Sequence, residues 1–137
     1  MPGVTEELIA RAKASYDAFN RGDNEGALQF MHPEIEWRTY LVPGPGGGTY
    51  RGHDGVRQLW TDVRTIFEDF RNEAEDFFTE QNRVVVFVRF TGRGRGSGAD
   101  VEARLAHLFE FEDDLVRRVR TYEERDAALA AAGISVG

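Results

Sequence analysis

The stretch Val101–Tyr122, VEARLAHLFEFEDDLVRRVRTY, constrains this chain more than any other. It reads as two strands joined at Asp113-Asp114, because aspartate tolerates the left-handed backbone that a two-residue hairpin loop requires. With that loop, Glu112 pairs with Leu115 and Phe111 with Val116. Continuing inward, Glu110 meets Arg117, Phe109 meets Arg118, His107 meets Arg120 and Leu105 meets Tyr122. Alternation then puts His107, Phe109, Arg118, Arg120 and Tyr122 on one face, with Ala106, Leu108, Glu110, Arg117 and Val119 on the other. A histidine, two arginines and a tyrosine on an otherwise apolar face point to the wall of a small-molecule pocket. That reading depends on register, since a three-residue turn would carry Arg118 and Arg120 away from His107.

The chain upstream supplies a body for that wall. Thr5 can cap a first helix, with Glu6 and Glu7 in its first turn. Leu8, Ala12, Ser15 and Phe19, together with Ile9 and Tyr16, recur at three- and four-residue spacing and predict one buried stripe. Gly22 suits the helix end, and Asp23 opens a short second helix over 24–30. Residues 35–40 alternate as a strand, with Trp37 on its buried side. The loop VPGPGGGTYRG lacks both the Lys-Ser/Thr pair and the GxGxxG spacing of a phosphate cradle, so it reads as a flexible rim. His53-Asp54 caps a third helix, predicted over 55–70, with Val56, Leu59, Trp60, Val63, Ile66, Phe67 and Phe70 on one face. A strand is expected over 72–80, a stronger one at RVVVFVRFTG, and a closing helix over 123–132.

A chain of 137 residues is large enough for one core and not for two, so it reads as a single domain, 1–137. Its net charge of −7 argues against a nucleic-acid partner, and the arginines at 89, 93, 95 and 104 are diluted by Asp100 and Glu102. Without cysteine, thiolate catalysis and disulfides are excluded. His32, His53 and His107 fall on separate elements with no carboxylate at ligand spacing, so no metal and no cofactor are expected. No apolar run approaches the roughly 20 residues of a membrane span, and MPGVTEELIARAK lacks a signal-peptide core, so the expected location is cytoplasmic.

Three helices, one early strand and then a run of antiparallel strands define an α+β chain. Its curved mixed or antiparallel sheet would wrap the three N-terminal helices into a cone, with a short C-terminal helix outside. At this point the chain resembles the SnoaL-like branch of the NTF2-like (cystatin-like α+β) superfamily. The carrying residues are Phe19-Asn20-Arg21-Gly22-Asp23, His32-Pro33-Glu34-Ile35-Glu36-Trp37 and Tyr50-Arg51-Gly52-His53-Asp54-Gly55-Val56. Gly92–Gly98, Tyr122, Ala127-Ala128-Leu129 and Gly133 extend the likeness to essentially the whole chain. The resemblance implies a pocket in the mouth of the cone and, often, a homodimer.

It implies less about chemistry, because this scaffold carries isomerases, hydrolases, cyclases and binders. The three groups of ketosteroid-isomerase-like members (first-helix tyrosine, strand aspartate and hairpin acid) fall by pattern on Ser15, Trp37 and His107, with Tyr16 one residue off. The Arg-x-Asp of limonene-epoxide-hydrolase-like members falls on Leu105-Ala106-His107. The aspartate that polyketide-cyclase-like members set against a histidine is replaced opposite His107 by Arg120. Two readings therefore stand. In one, His107 is an acid/base for a small, largely apolar or weakly anionic organic substrate. Arg120 and Tyr122 then orient an oxygen, Arg118 adds charge, and Ser15, Phe19, Trp37, Trp60, Phe90 and Phe109 line the site. In the other, the protein binds a ligand or assembles without catalysis, His107 is satisfied within the core, and the arginines pair with Glu36, Glu123 or Asp126. A carboxylate within hydrogen-bond range of His107 separates them.

Overall fold

The hairpin loop forms as the sequence predicts: Asp113 and Asp114 take φ of 51° and 66°, both left-handed. The computed structural model describes residues 2–41 and 48–135. Helices α1 (Pro2–Asn20) and α2 (Asn24–Leu28) come first, followed by strands β1 (Met31–Arg38) and β2 (Thr49–Arg51). Helix α3 (Gly52–Ile66) leads into β3 (Phe67–Glu80), β4 (Arg83–Gly94), β5 (Asp100–Glu112) and β6 (Leu115–Tyr122), and α4 (Arg125–Ala131) closes the chain. The strands form one open sheet in the order β2-β1-β6-β5-β4-β3. Only β1 and β6 run parallel, so the sheet is mixed. No described helix is long and apolar enough to cross a membrane.

The long run of β4 is apolar on both sides because both sides are covered. Val84, Val86, Val88 and Phe90 face α1 and α3 in the main core, while Val85 faces the opposite way. There α4 lays Ala128, Leu129 and Ala132 over Val85, Ala106 and Leu108, a second small core on the outer face of the sheet. Alternation alone would leave that outer row half wet, and the C-terminal helix removes the need for polar residues there. Arg125 fastens the helix: it donates to the Val88 carbonyl at 3.1 Å and to Glu75 at 2.5 Å, and its guanidinium lies 4.8 Å from the Phe87 ring centre.

Helix ends follow local chemistry. Gly22, at φ 84°, ends α1, and the Asp23 side chain accepts from the Gly26 amide at 2.9 Å. The third helix differs from expectation at both ends. It starts at Gly52 without a side-chain cap, and His53 instead turns Nε2 to the Met31 carbonyl at 2.9 Å. It stops at Ile66, because Phe67 and Glu68 pair with Gly94 and Arg93 in the sheet. Asp69, at φ 53°, then kinks β3 before Arg71 resumes the ladder. The first strand likewise begins earlier than expected, at Met31, and ends at Arg38. Residues 42–47 of the expected glycine-rich rim lie outside the described residues.

The main correction is to register. From Glu112 to Phe111 the hairpin pairs as predicted, but then Glu110 meets Arg118, Phe109 meets Val119 and His107 meets Thr121. Arg117 is an extra residue, a β-bulge, and every side chain beyond it changes face. Its cause lies in β1, whose pairing with β6 jumps from Met31–Val116 to Glu36–Arg118. Pro33 sits in that gap and has no N–H to give the ladder, and Arg117 donates instead to the Glu34 carbonyl at 2.5 Å.

Candidate functional site

Inside the cone the inner rows of β5, β6, β1 and β4 converge on α1 and α3. His107 of β5 faces Thr121 across β6, and the Trp37 ring meets the His107 ring edge-on with centres 5.5 Å apart. The Trp37 Nε1–H donates to Thr121 Oγ1 at 3.1 Å. From the helices come Phe19 and Trp60, packed at 5.4 Å, and Phe19 also meets Phe70 at 5.6 Å. Together with Thr39, Leu59, Asn72 and Phe90 these side chains surround a cavity of about 30 Å³. By volume that is about one water's share of the liquid. None of its lining residues is charged.

His107 is the most informative of them. It is 2% exposed, and Nδ1 lies 2.6 Å from the Tyr16 hydroxyl. No carboxylate reaches it: Tyr16 is its one hydrogen-bond partner among the described residues. Burial pushes the imidazole pKa down to about 3, because a buried cation would lose its hydration without a counter-charge. The same burial raises the Tyr16 phenol well above its usual range. At neutral pH both rings are therefore uncharged. A neutral imidazole of such low basicity can donate or accept a hydrogen bond, but it is a poor reservoir for a proton.

Of the residues singled out from sequence, Phe19, Trp37, Trp60, Phe90 and His107 come together at the cavity. Phe109 stands behind it, against Tyr16 and His107. Ser15 is buried in α1 but is not among the lining residues, and Tyr16, its neighbour, reaches His107 instead. Arg118, Arg120 and Tyr122 are corrected outright, because the bulge at Arg117 turns them to the outer face. There Arg118 lies 3.6 Å from Glu110, and the Arg120 guanidinium lies 4.8 Å from the Tyr122 ring centre. They cannot orient an oxygen held by His107. Tyr16 is the residue that sequence reasoning underrated. Its signal was present, since it shares the α1 stripe with Ala12 and Phe19.

The other histidines have structural partners: His32 accepts the Glu34 amide at 2.9 Å, and His53 bonds Met31. Three arginines of β4 and the loop after it are paired too, Arg89 with Glu73 at 3.2 Å and Arg93 and Arg95 with Glu68 at 3.8 and 3.6 Å.

An α+β cone built in this order of elements is the NTF2-like fold, and comparison with known proteins bears this out. Over residues 12–119 the chain matches the model of the SnoaL-like domain, and it belongs to that family. TerC, co-crystallised with polyporic acid, is 27% identical, with a TM-score of 0.77 over 92% of this chain and 97% of that one. An NTF2-like protein of unknown function from Burkholderia pseudomallei is 23% identical, with a TM-score of 0.78 over 92% and 97%. A Mycobacterium tuberculosis protein in complex with estradiol-17beta-hemisuccinate is 17% identical, with a TM-score of 0.73 over 88% and 95%. No functionally curated protein matches the sequence.

Proposed function

We propose that this protein binds a small, uncharged, largely apolar organic molecule inside the cone, without acid–base catalysis by His107. The observation that carries the reading is the Tyr16–His107 contact of 2.6 Å. It takes the position where an orienting carboxylate would stand, and it brings no charge to offset the burial that keeps the imidazole neutral. Aromatic walls supply the affinity, since Phe19, Trp37, Trp60 and Phe90 offer large apolar area and few polar demands. A charged ligand would be desolvated there with no counter-ion, which disfavours the weakly anionic partner that Arg118 and Arg120 suggested. That TerC was crystallised with an organic ligand supports a ligand-holding role at this level of likeness.

The free cavity, about 30 Å³, is well below the roughly 300 Å³ at which drug-sized pockets begin. Binding of anything much larger than a water therefore requires lining side chains to move. A thermal-shift screen of neutral terpenoids, steroids and simple aromatics against their carboxylic acids tests the reading. Stabilisation by neutral members is expected; stabilisation by acids alone, or by none, would reject it.

An isomerase, cyclase or hydrolase reading would need a different proton carrier. It keeps one physical route, electrophilic polarisation of a substrate oxygen by neutral imidazole. No carboxylate lines the cavity among the described residues to act as the complementary base. Turnover of any ligand from the screen would restore it.

The outer face completes the proposal. Glu36, Arg38, Glu110, Arg118 and Arg120 border a groove of about 250 Å³ on β1 and β6. Alternating acids and bases there are self-complementary across a two-fold axis, and we expect a homodimer through this face. Light scattering that returns the monomer mass of 15.5 kDa would reject it. The expected site of action is the cytoplasm, which cell fractionation checks.

A further inference from the structure

The wall around His107 has hydrogens to give. Tyr16 is 7% exposed, and among the described residues its hydroxyl has one partner, Nδ1 of His107. A hydroxyl owns one hydrogen. Were Nδ1–H to donate to the phenol oxygen, that hydrogen would have no acceptor among the described residues. With the hydroxyl donating to Nδ1, the one donor left over is the ring N–H on the cavity side, where a ligand or water can accept it, and buried donors are the groups that proteins least often leave unpaired. The ring's remaining hydrogen then sits on Nε2. Tyr16 is absent from the cavity lining while His107 is part of it, so the ring edge away from Nδ1 is the one offered to a ligand.

We propose that Tyr16 holds His107 in the Nε2–H tautomer, so that this wall selects an uncharged ligand carrying an acceptor oxygen, such as a ketone, quinone or ether. Two hydroxyls on the same cavity strengthen the bias. Thr121 Oγ1 already accepts from Trp37 and Thr39 Oγ1 from the Leu41 amide at 3.1 Å, and neither hydroxyl hydrogen has an acceptor among the described residues. Three donors therefore border this small cavity, beside Asn72, whose carboxamide can both donate and accept. Tyr16 is a positioning residue here, acting through His107. The selectivity rests on the binding reading above; the tautomer does not.

Long-range proton–nitrogen correlation spectra of the ¹⁵N-labelled free protein at neutral pH test the tautomer directly. The Nε2 signal of His107 is expected in the pyrrole-type range and Nδ1 in the pyridine-type range; the reverse overturns the proposal. Acetophenone and ethylbenzene, alike in shape and differing by one acceptor oxygen, test the selectivity. The wild-type protein is expected to hold acetophenone about three- to tenfold more tightly. Tyr16→Phe should reduce that preference, the Thr39 and Thr121 hydroxyls being left as donors. Equal wild-type affinities, or a preference undiminished in Tyr16→Phe, overturn the proposal. If Tyr16→Phe does not fold, the wild-type spectrum and the wild-type probe pair still decide. Failure of both probes to bind rejects the pocket reading and the selectivity with it, while the free-protein spectrum judges the tautomer independently.

Discussion

The Tyr16 hydroxyl and His107 Nδ1 lie 2.6 Å apart, joining α1 to the middle of the sheet across 91 residues of sequence. This contact ties down a residue that lines the cavity, so its removal should register in stability. Tyr16→Phe strands a buried ring nitrogen, and urea denaturation should show a loss of about 1–3 kcal/mol. An unchanged midpoint would mean that His107 finds another partner.

The neutral imidazole makes stability depend on pH. His107 titrates near 3 when folded and near the ordinary 6.5 when unfolded, so within that window the unfolded chain binds the extra proton. Stability should therefore rise as pH climbs from about 3 to about 6.5, and fall as acid is added. The urea midpoint of the wild-type protein should drop across this range by more than that of His107→Gln. Identical slopes for the two would rule out this source.

Arg120 now belongs to the outer face, and its removal should leave the cavity alone. Arg120→Ala is expected to hold acetophenone within about twofold of wild type, whereas Trp60→Ala, which opens the aromatic wall, should lose tenfold or more. Isothermal titration of the two variants against one probe checks the contrast.

Arg125 holds α4 through three kinds of contact at once. Its guanidinium meets Glu75, the Val88 and Leu105 carbonyls and the Phe87 ring. Arg125→Ala should cost about 2 kcal/mol, since the partly buried Glu75 and two carbonyls lose a donor. Arg125→Lys should recover less than half of that, because an ammonium cannot reproduce the fork. Full recovery by lysine would reduce the contact to simple charge.

Both loop aspartates sit at positive φ, and Asp114 is the more demanding, at 66°. Asp114→Val puts a β-branched side chain in the left-handed region and should destabilise the fold by about 1–2 kcal/mol. Thermal denaturation beside Asp114→Gly, expected to be neutral or stabilising, makes the comparison.

Sequence made some of this legible and hid the rest for a physical reason. Residues 113–114, the two-sided apolarity of β4 and the α3 stripe containing Trp60 are set by neighbours within a few positions, and local pattern reads them. The bulge at Arg117 depends on Pro33 and the Glu34 carbonyl, more than 80 positions away, and no window over the hairpin contains that information. The same distance hid Tyr16. Helix periodicity put it on the buried stripe, but only the assembled sheet brings His107 to its hydroxyl. Trp37 and Phe90 were recoverable as lining because each occupies the apolar phase of a strand that carries no irregularity at that point.

The bulge also gives β6 a parity. Val119 and Thr121 look inward, and Arg118 and Arg120 outward, only because one residue too many precedes them. Substituting Arg117 changes one side chain, whereas deleting it would exchange the two rows and set two guanidinium groups in hydrocarbon. In this strand the count of residues, more than their identity, decides what the interior touches. Insertions and deletions near position 117 should therefore be far less tolerated than point changes, and a deletion scan through β6 would mark the position of the bulge without any structure in hand.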